Sequence, residues 1–405
     1  MKVDFAIERL REGKMVIVVD DPKRENQGDV IFAGEKVTPD KVNFLLKNCR
    51  GIICTAITKE KALRLKLPLM VPPLSTTEKT KVQFTISCDS KNVSSFGIST
   101  KDRAETIKVL ADPKSRAEDL VRPGHVFPLL ARDKGLLERR GHTEAGVDLM
   151  RMAKLSPCAV LCEVLNEKGN PANFSQLKRF SQKFKIPILT INEIVEYLKI
   201  HPLTYPRTKS ILKEAESKLF TKYGEFLLRV YRAVDGKEHL ALIYEKEKIN
   251  PKEPILVRIH SQCLTGEVFF SLKCDCREQL ERSFQLIKKR KKGVLIYLNQ
   301  EGRGIGLVNK IRAYSLQEKG IDTVKANLLL NLPPDARDYQ MAVDILKDLN
   351  IKKIEILTNN PQKISELEKG GIRVVKRIPI ECLNLQNKKY LKAKKEKLGH
   401  LIKNV

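Results

Sequence analysis

Tryptophan is absent, and aromatic residues are few: 14 Phe and 9 Tyr in 405 residues. Stacking platforms for single-stranded nucleic acid are therefore scarce. No stretch approaches the roughly 18 consecutive apolar residues that a spanning helix needs, which points away from an integral membrane protein. The opening MKVDFAIERLREGK lacks the apolar core of a signal peptide. Nine cysteines, unevenly spread, do not resemble a disulfide framework. A cytoplasmic, reducing location is the expectation.

Positive charge is what the chain has in excess: 76 Lys+Arg against 49 Asp+Glu, a formal net charge of +27. Such a surface suits anionic partners, whether nucleic acid, acidic membranes or phosphorylated small molecules, and it is equally what a lysine-rich solvated surface looks like. Hydrophobic residues at 42% exclude a disordered chain, and the length favours two or three domains.

Apolar Phe5, Ile7 and Leu10 predict a helix before Gly13, and Met15–Val19 reads as a strand buried on both faces. Strand-like runs follow at Gly51–Ile57, Val82–Cys88, Ala159–Val164 and Pro187–Ile191, with helical stretches such as Lys101–Leu110 and Ser175–Phe184 between them. The alternation predicts a mixed α/β (α+β) fold of two domains, each a mixed sheet flanked by helices. The proline-bearing stretch HPLTYPRTKSILKEAE suggests a linker over 201–217, between domains 1–200 and 218–405. In the second half, strands are expected over Gly224–Tyr244, Ile255–Ile259, Gly293–Tyr297 and Ile354–Leu357, and helices over Glu278–Lys289, Leu307–Lys319 and Tyr339–Leu349. The tail NKKYLKAKKEKLGHLIK reads as a basic helix with a solvated face.

RIHSQCLTGEVFFSLKCDC carries Cys263, Cys274 and Cys276. Three thiolates bind zinc and leave its fourth tetrahedral position for water, the arrangement of a catalytic site. His260 as a fourth ligand would make the site structural, and buried structural thiols are the alternative to both. Downstream, YLNQEGRGIGL offers glycines 302, 304 and 306 and the fork of Arg303 to an anion. A loop then sets Asp335, Arg337 and Asp338 together, and LTNNPQK supplies Thr358 and Lys363. Zinc ligands beside phosphate-friendly loops suggest hydrolysis of a phosphorylated substrate.

The order HSQCLTG, SLKCDC, QEGRGIGL, NKIRAYSLQ, DARDY and LTNNPQK resembles GTP cyclohydrolase II over about 218–405. The resemblance implies that Cys263, Cys274 and Cys276 bind zinc, whose water attacks the guanine imidazole ring and releases formate. It implies that Arg337 attacks the α-phosphorus and expels pyrophosphate, with Asp335 as proton acceptor and Tyr314 orienting water or substrate. Arg258, Gln262, Gln279, Glu301, Arg303, Thr323, Thr358 and Lys363 would contact GTP. An arginine nucleophile must lose a proton despite a pKa above about 12, so a neighbouring base is chemically necessary. The family usually has Glu where this chain has Gln262, and Gly where it has Arg277.

The first half presents RENQGD, RPGHVFPL, RRGHTEAGVDL and VLCEVLNEKG in order and resembles 3,4-dihydroxy-2-butanone 4-phosphate synthase over about 1–200. By that resemblance Glu25 and His142 bind Mg2+ or Mn2+, Arg24, Asp29, Arg139 and Thr143 hold ribulose 5-phosphate, and His125 and Glu163 transfer protons as formate is lost. The metal would stabilise an enediolate, and Mg2+ would also accompany GTP. Lys23 and Gln27 depart from the family's D-R-E-N-E-G-D, Glu138 and Arg140 from its glycine-rich loop, Arg50 from a serine, and STTEKTKVQF from the usual lid.

Together the two halves resemble the fused bifunctional enzymes of riboflavin biosynthesis, a hydrolase and a lyase in one chain, commonly homodimeric. One alternative keeps GTP cyclohydrolase II alone, on an inactive structural first domain. A second, motivated by the charge, is a nucleic-acid-binding protein on an old enzyme scaffold; the scarcity of aromatics argues against it.

Overall fold

The computed structural model describes residues 2–382, 395, 396, 399, 401 and 402, so the basic tail expected to be helical lies largely outside the described residues. The chain forms two compact units, Met1–Lys209 and Ser210–Val405, each built on a seven-stranded mixed sheet flanked by helices. Among the described residues no helix is long and apolar enough to cross a membrane.

In the first unit the strands are β1 (Val16–Val19), β2 (Gly28–Ala33), β3 (Cys54–Ile57), β4 (Cys88–Ser90), β5 (Leu120–Leu130), β6 (Cys158–Glu163) and β7 (Ile188–Thr190), ordered β4-β5-β3-β6-β2-β1-β7. Every residue of β1 and β2 is buried, because helices cover both faces and the strands can be apolar without alternation. Helices Lys2–Arg11, His142–Met152 and Ile191–Ile200 contribute Leu10, Val147, Leu149 and Ile194 to one core with Val16, Val18 and Ile31. Antiparallel pairing of β2 with β6 then sets Asp29 directly opposite Glu163.

Two expectations for this unit are corrected. Phe5 faces outward; the buried stripe is Val3, Ala6, Ile7 and Leu10, the spacing of one helix face, and Phe5 lies off it. Val82–Cys88 is not a strand: Phe84 and Thr85 form only isolated bridges, and β4 begins at Cys88. RPGHVFPL, which carries His125 and has no element assigned from the sequence, is the body of the long strand β5. Its prolines disguise it, yet the Pro128 carbonyl still accepts from both the backbone N–H and the hydroxyl of Thr85.

The expected linker is also redrawn. Tyr205 belongs to the first unit: its hydroxyl donates to buried Asp148 at 3.1 Å, and Arg151 lies 5.1 Å over its ring. Residues 211–217 open the first strand of the second unit, β8 (Ile211–Thr221).

There the remaining strands are β9 (Gly224–Ala233), β10 (Glu238–Glu245), β11 (Ile255–Ser261), β12 (Lys292–Leu298), β13 (Lys353–Leu357) and β14 (Arg373–Ile378), ordered β14-β13-β11-β12-β10-β9-β8. The neighbours β13, β11 and β12 run parallel, so their carboxyl ends lie along one edge. The chain leaving β11 carries Gln262 and Cys263, that leaving β12 carries Gln300 and Glu301, and that leaving β13 carries Thr358 to Asn360. Crevices at such carboxyl ends are the usual ligand sites of open sheets.

His239 of β10 braces this edge. Its Nδ1 accepts from the backbone N–H of Asn299, at 3.0 Å, where the chain leaves β12. Burial pushes the imidazole down from 6.5 to about 4, with Asp235 slightly opposing and Lys237 assisting. The unfolded chain therefore binds the extra proton between those values, so the contribution is intact above pH 6.5 and is lost as pH falls toward 4. Going from pH 7 to 5 should cost about 2 kcal/mol through this one group. Urea unfolding at both pH values should show that loss in the wild type and not in His239→Gln; equal losses in both would clear His239 of the effect.

Candidate active site

The second unit holds a cavity of about 630 Å³ at the carboxyl edge of β11, β12 and β13. At one place in its wall Cys263, Cys274 and Cys276 bring their sulfurs within 4.8 Å of one another, with Cys263 and Cys274 3.6 Å apart. Four-coordinate zinc with Zn–S bonds near 2.3 Å spaces its sulfurs about 3.8 Å apart, so the donor set fits that ion. Gly266 makes the approach possible: a Cβ there would meet Cys274 Sγ at 2.7 Å and Cys263 Sγ at 3.2 Å. Hydrogen bonds from the Cys274 and Cys276 thiols draw Cys263 far below the ordinary thiol range, against its burial.

His260 does not join them. Its Nε2 lies 2.7 Å from a Glu267 carboxylate oxygen and its Nδ1 3.2 Å from Arg258 Nη2, so both ring nitrogens are committed. Glu267 also accepts from the Cys263 backbone at 2.9 Å and from the Tyr297 hydroxyl. Among the described residues the three thiols are the only close group of potential ligands, which favours an open fourth position over the structural alternative.

Around this cradle lie most of the residues singled out from the sequence. Arg258 is buried and donates to the Leu357 carbonyl at 2.9 Å and to Gln279 at 2.8 Å. Gln262, Glu301, Arg303, Tyr314, Arg337, Thr358 and Lys363 line the same cavity. Lys363 Nζ donates to the Ile259 carbonyl at 2.7 Å. Burial pushes the Tyr314 phenol up to about 12, leaving it a donor at neutral pH. Arg337 Nε donates to both carboxylate oxygens of Asp335, at 2.8 and 3.1 Å. Burial opposes ionisation of Asp335, but those bonds and the arginine charge outweigh it and hold the carboxyl below its usual range.

The QEGRG turn and the Asp335–Arg337 loop are locked together by Arg303 O accepting from Ala336 N at 2.9 Å. Gly304 is required there, since it has φ +89° and its Cβ would lie 2.7 Å from the Ala336 carbonyl oxygen. Thr323 opens the helix Thr323–Leu329, and its side chain lies outside the described set. Arg277 points elsewhere, 3.9 Å over the Phe270 ring and 3.3 Å from Glu281.

Sequence reasoning passed over Lys310 and Glu267. Helix Leu307–Glu318 puts Lys310, Ala313, Tyr314 and Gln317 on the cavity at i, i+3, i+4 and i+7. That spacing was available as a signal, but polar residues at a helical period usually mark a solvated face.

In the first unit Asp20, not singled out beforehand, organises the RENQGD segment. It accepts from Gln27 N at 2.8 Å, Glu25 N at 3.2 Å and Arg24 Nη1 at 2.8 Å. Arg24 also pairs with Glu25 at 2.6 Å. Asp29, the last residue of RENQGD, sits in β2 opposite Glu163. His142 begins helix His142–Met152, its Nδ1 3.9 Å from Asp29 Oδ1; His142 Nε2 and that Asp29 oxygen are buried without a hydrogen-bond partner. Burial, then the charges of Glu163, Glu25 and Asp20, push the Asp29 carboxyl well up, while burial pushes His142 down. The unpartnered His142 Nε2 and Asp29 Oδ1 are buried polar atoms of the kind a bound divalent cation would satisfy, while among the described residues no three ligand atoms of this unit lie within 4.8 Å of one another.

The other expected members have partners of their own. His125 bonds Asp89 through Nδ1 at 2.7 Å and makes no hydrogen bond or ion pair to Glu25, Asp29, His142 or Glu163. The Arg139 guanidinium is committed to Glu144 at 2.6 Å and to the Thr80 carbonyl at 3.0 Å. Thr143 is buried in the first helical turn, and one Glu163 oxygen accepts from Ile52 N at 2.9 Å. Arg140 is exposed, 3.4 Å from Asn192, and lines a smaller cleft with Lys23 and Arg24.

Residues 4–197 match the family described as 3,4-dihydroxy-2-butanone 4-phosphate synthase, and residues 212–379 that described as GTP cyclohydrolase II. The riboflavin biosynthesis protein RibBA of Aquifex aeolicus (strain VF5) is 48% identical over 402 residues, 98% of this chain and 97% of that protein. RibBA of Parabacteroides distasonis is 47% identical over 407 residues, covering 100% and 98%. A solved 3,4-dihydroxy-2-butanone 4-phosphate synthase in complex with two magnesium ions is 33% identical, with a TM-score of 0.46 over 49% of this chain and 96% of that one. The chain thus belongs to the RibBA family of bifunctional riboflavin biosynthesis enzymes, which join a synthase (lyase) domain to a GTP cyclohydrolase II (hydrolase) domain.

Proposed function

We propose that the second unit converts GTP to 2,5-diamino-6-ribosylamino-pyrimidinone 5'-phosphate, formate and pyrophosphate, using zinc held by Cys263, Cys274 and Cys276. The observation that carries this is the meeting, in one cavity, of three thiols with Arg303, Arg337, Thr358 and Lys363. When bound, zinc supplies the Lewis acidity that activates water at neutral pH. Arg337 is the nucleophile toward the α-phosphorus. Asp335, ionised and bonded to its Nε, aligns the guanidinium and takes its proton. Tyr314, protonated at neutral pH, donates a hydrogen bond that orients substrate. Arg258, Gln262, Gln279, Glu301, Arg303, Thr323, Thr358 and Lys363 contact the base and the triphosphate of GTP, which reaches the enzyme with Mg2+.

The first unit is proposed to convert ribulose 5-phosphate to 3,4-dihydroxy-2-butanone 4-phosphate and formate. Glu25 and His142 would hold Mg2+ or Mn2+, whose charge stabilises an enediolate. Arg24, Asp29, Arg139 and Thr143 bind substrate, and His125 and Glu163 move protons. A second reading has support of its own: an amide at Gln27 replaces a family carboxylate, and Arg139 is already engaged by Glu144 and Thr80. On that reading the unit is a retained scaffold. A cytoplasmic homodimer that binds neither membrane nor nucleic acid completes the proposal.

Cys274→Ser should lose zinc and drop formate release from GTP by at least about 10³-fold, read with metal analysis on the same sample. Full turnover without zinc would remove the metal assignment. Arg337→Ala should abolish pyrophosphate release, measured by a coupled phosphate assay; retained release would mean another nucleophile. Purified protein given ribulose 5-phosphate and Mg2+ should yield formate, with GTP as the control for folding. If only GTP yields it, the scaffold reading stands, and Gln27→Glu should then raise the ribulose 5-phosphate rate if lost charge is the cause.

A further inference from the structure

Lys310 has no part in the chemistry above, yet it is among the most tightly engaged side chains of the cavity. Helix Leu307–Glu318 carries it to the thiol cradle, where it is only 8% exposed. Its Nζ lies 2.7 Å from Thr265 Oγ1, 2.7 Å from Glu301 Oε1 and 3.2 Å from Cys263 Sγ. An ammonium has three N–H donors, and here each has an acceptor. None is left over for substrate, so the group is placed to hold protein atoms.

The atoms it holds belong to different loops. Cys263 and Thr265 follow β11, whereas Glu301 follows β12. The far oxygen of Glu301 completes the tie by accepting from Leu264 N at 2.6 Å, and Gly302 N donates to the near one at 2.9 Å. A buried cation is retained only where it is fully paired. A neutral side chain would fill the space but could not bond a sulfur, a hydroxyl and a carboxylate at once.

We infer that Lys310 is a positioning residue that fixes Cys263 relative to Glu301, so that metal affinity and GTP recognition are set by one side chain. The inference rests on the reading of the three thiols as zinc ligands. Partners of metal ligands commonly govern affinity by about 10- to 100-fold, and that is the scale expected here.

The test uses the full chain, stripped of metal, with zinc affinity measured by competition against a chromophoric chelator in the absence of GTP. Lys310→Met should weaken zinc by about 10- to 100-fold. At saturating zinc, the same variant should raise the KM for GTP more than it lowers kcat. Lys310→Arg, which keeps a cationic donor, should recover much of the zinc affinity. Lys363→Met, altered in the same cavity away from the thiols, should bind zinc like the wild type. Zinc affinity in Lys310→Met within twofold of the wild type overturns the inference, as does an equal loss in Lys363→Met. If Lys310→Met does not fold, Glu301→Gln reads the tie from its other end. It should weaken zinc several-fold although Glu301 makes no hydrogen bond to a thiol, and unchanged affinity there counts against the inference. A wild-type chain that binds no zinc defeats the underlying metal reading instead.

Discussion

Parallel pairing of β13, β11 and β12 is the constraint on which the second unit depends. Strands that run the same way deliver their successors to the same edge. Cys263, Glu301 and Thr358, far apart in the chain, thereby reach one cavity without any long loop to place them. The apolar interior of those strands makes the edge rigid, with Val257, Ile259, Val294, Ile296 and Ile356 fully buried. Polar side chains that must stay fixed to within fractions of an ångström are therefore set on the ends of stiff elements. Backbone contacts between the loops, such as that from Ala336 to Arg303, then remove most of the remaining freedom.

The first unit solves a different electrostatic problem. The charges of Asp20, Glu25 and Glu163 act on both Asp29 and the half-buried, neutral His142, and pairing with Arg24 offsets only part of that charge. Of the departures from the family pattern, Lys23 and Arg140 are exposed on a neighbouring cleft, and Gln27 donates its backbone N–H to Asp20.

Much of both sites was legible beforehand because short motifs report local geometry. The Cys-x-Cys pair, the QEGRG turn and the Asp335–Arg337 loop each owe their form to neighbours within a few residues. Strands such as β1 and β12 were legible because burial on both faces leaves an uninterrupted apolar run. Features decided by tertiary partners were hidden. Strand β5 carries Pro123, Gly124 and Pro128, residues unfavourable in a strand taken alone, and its pairing with β3 and β4 is visible only in the fold. His260 looked like a ligand because it stands three residues before Cys263, and only Glu267 and Arg258 reveal that its nitrogens are spent. Lys310 and Asp20 were hidden for a related reason: their acceptors and donors lie on other elements or follow later in the loop.

The anchoring of Tyr205 bears on how this protein can be divided. A fragment ending at residue 200, where the sequence alone places the domain edge, discards the hydroxyl that bonds Asp148 and the ring beneath Arg151. Both partners belong to the helix whose first turn holds His142 and Thr143, so the cut removes support from the very element that presents the site. A severed synthase half that proved inert would then report on a missing strap instead of on its catalytic residues. A cut after Lys209, beyond the strap and before β8, spares both of those bonds.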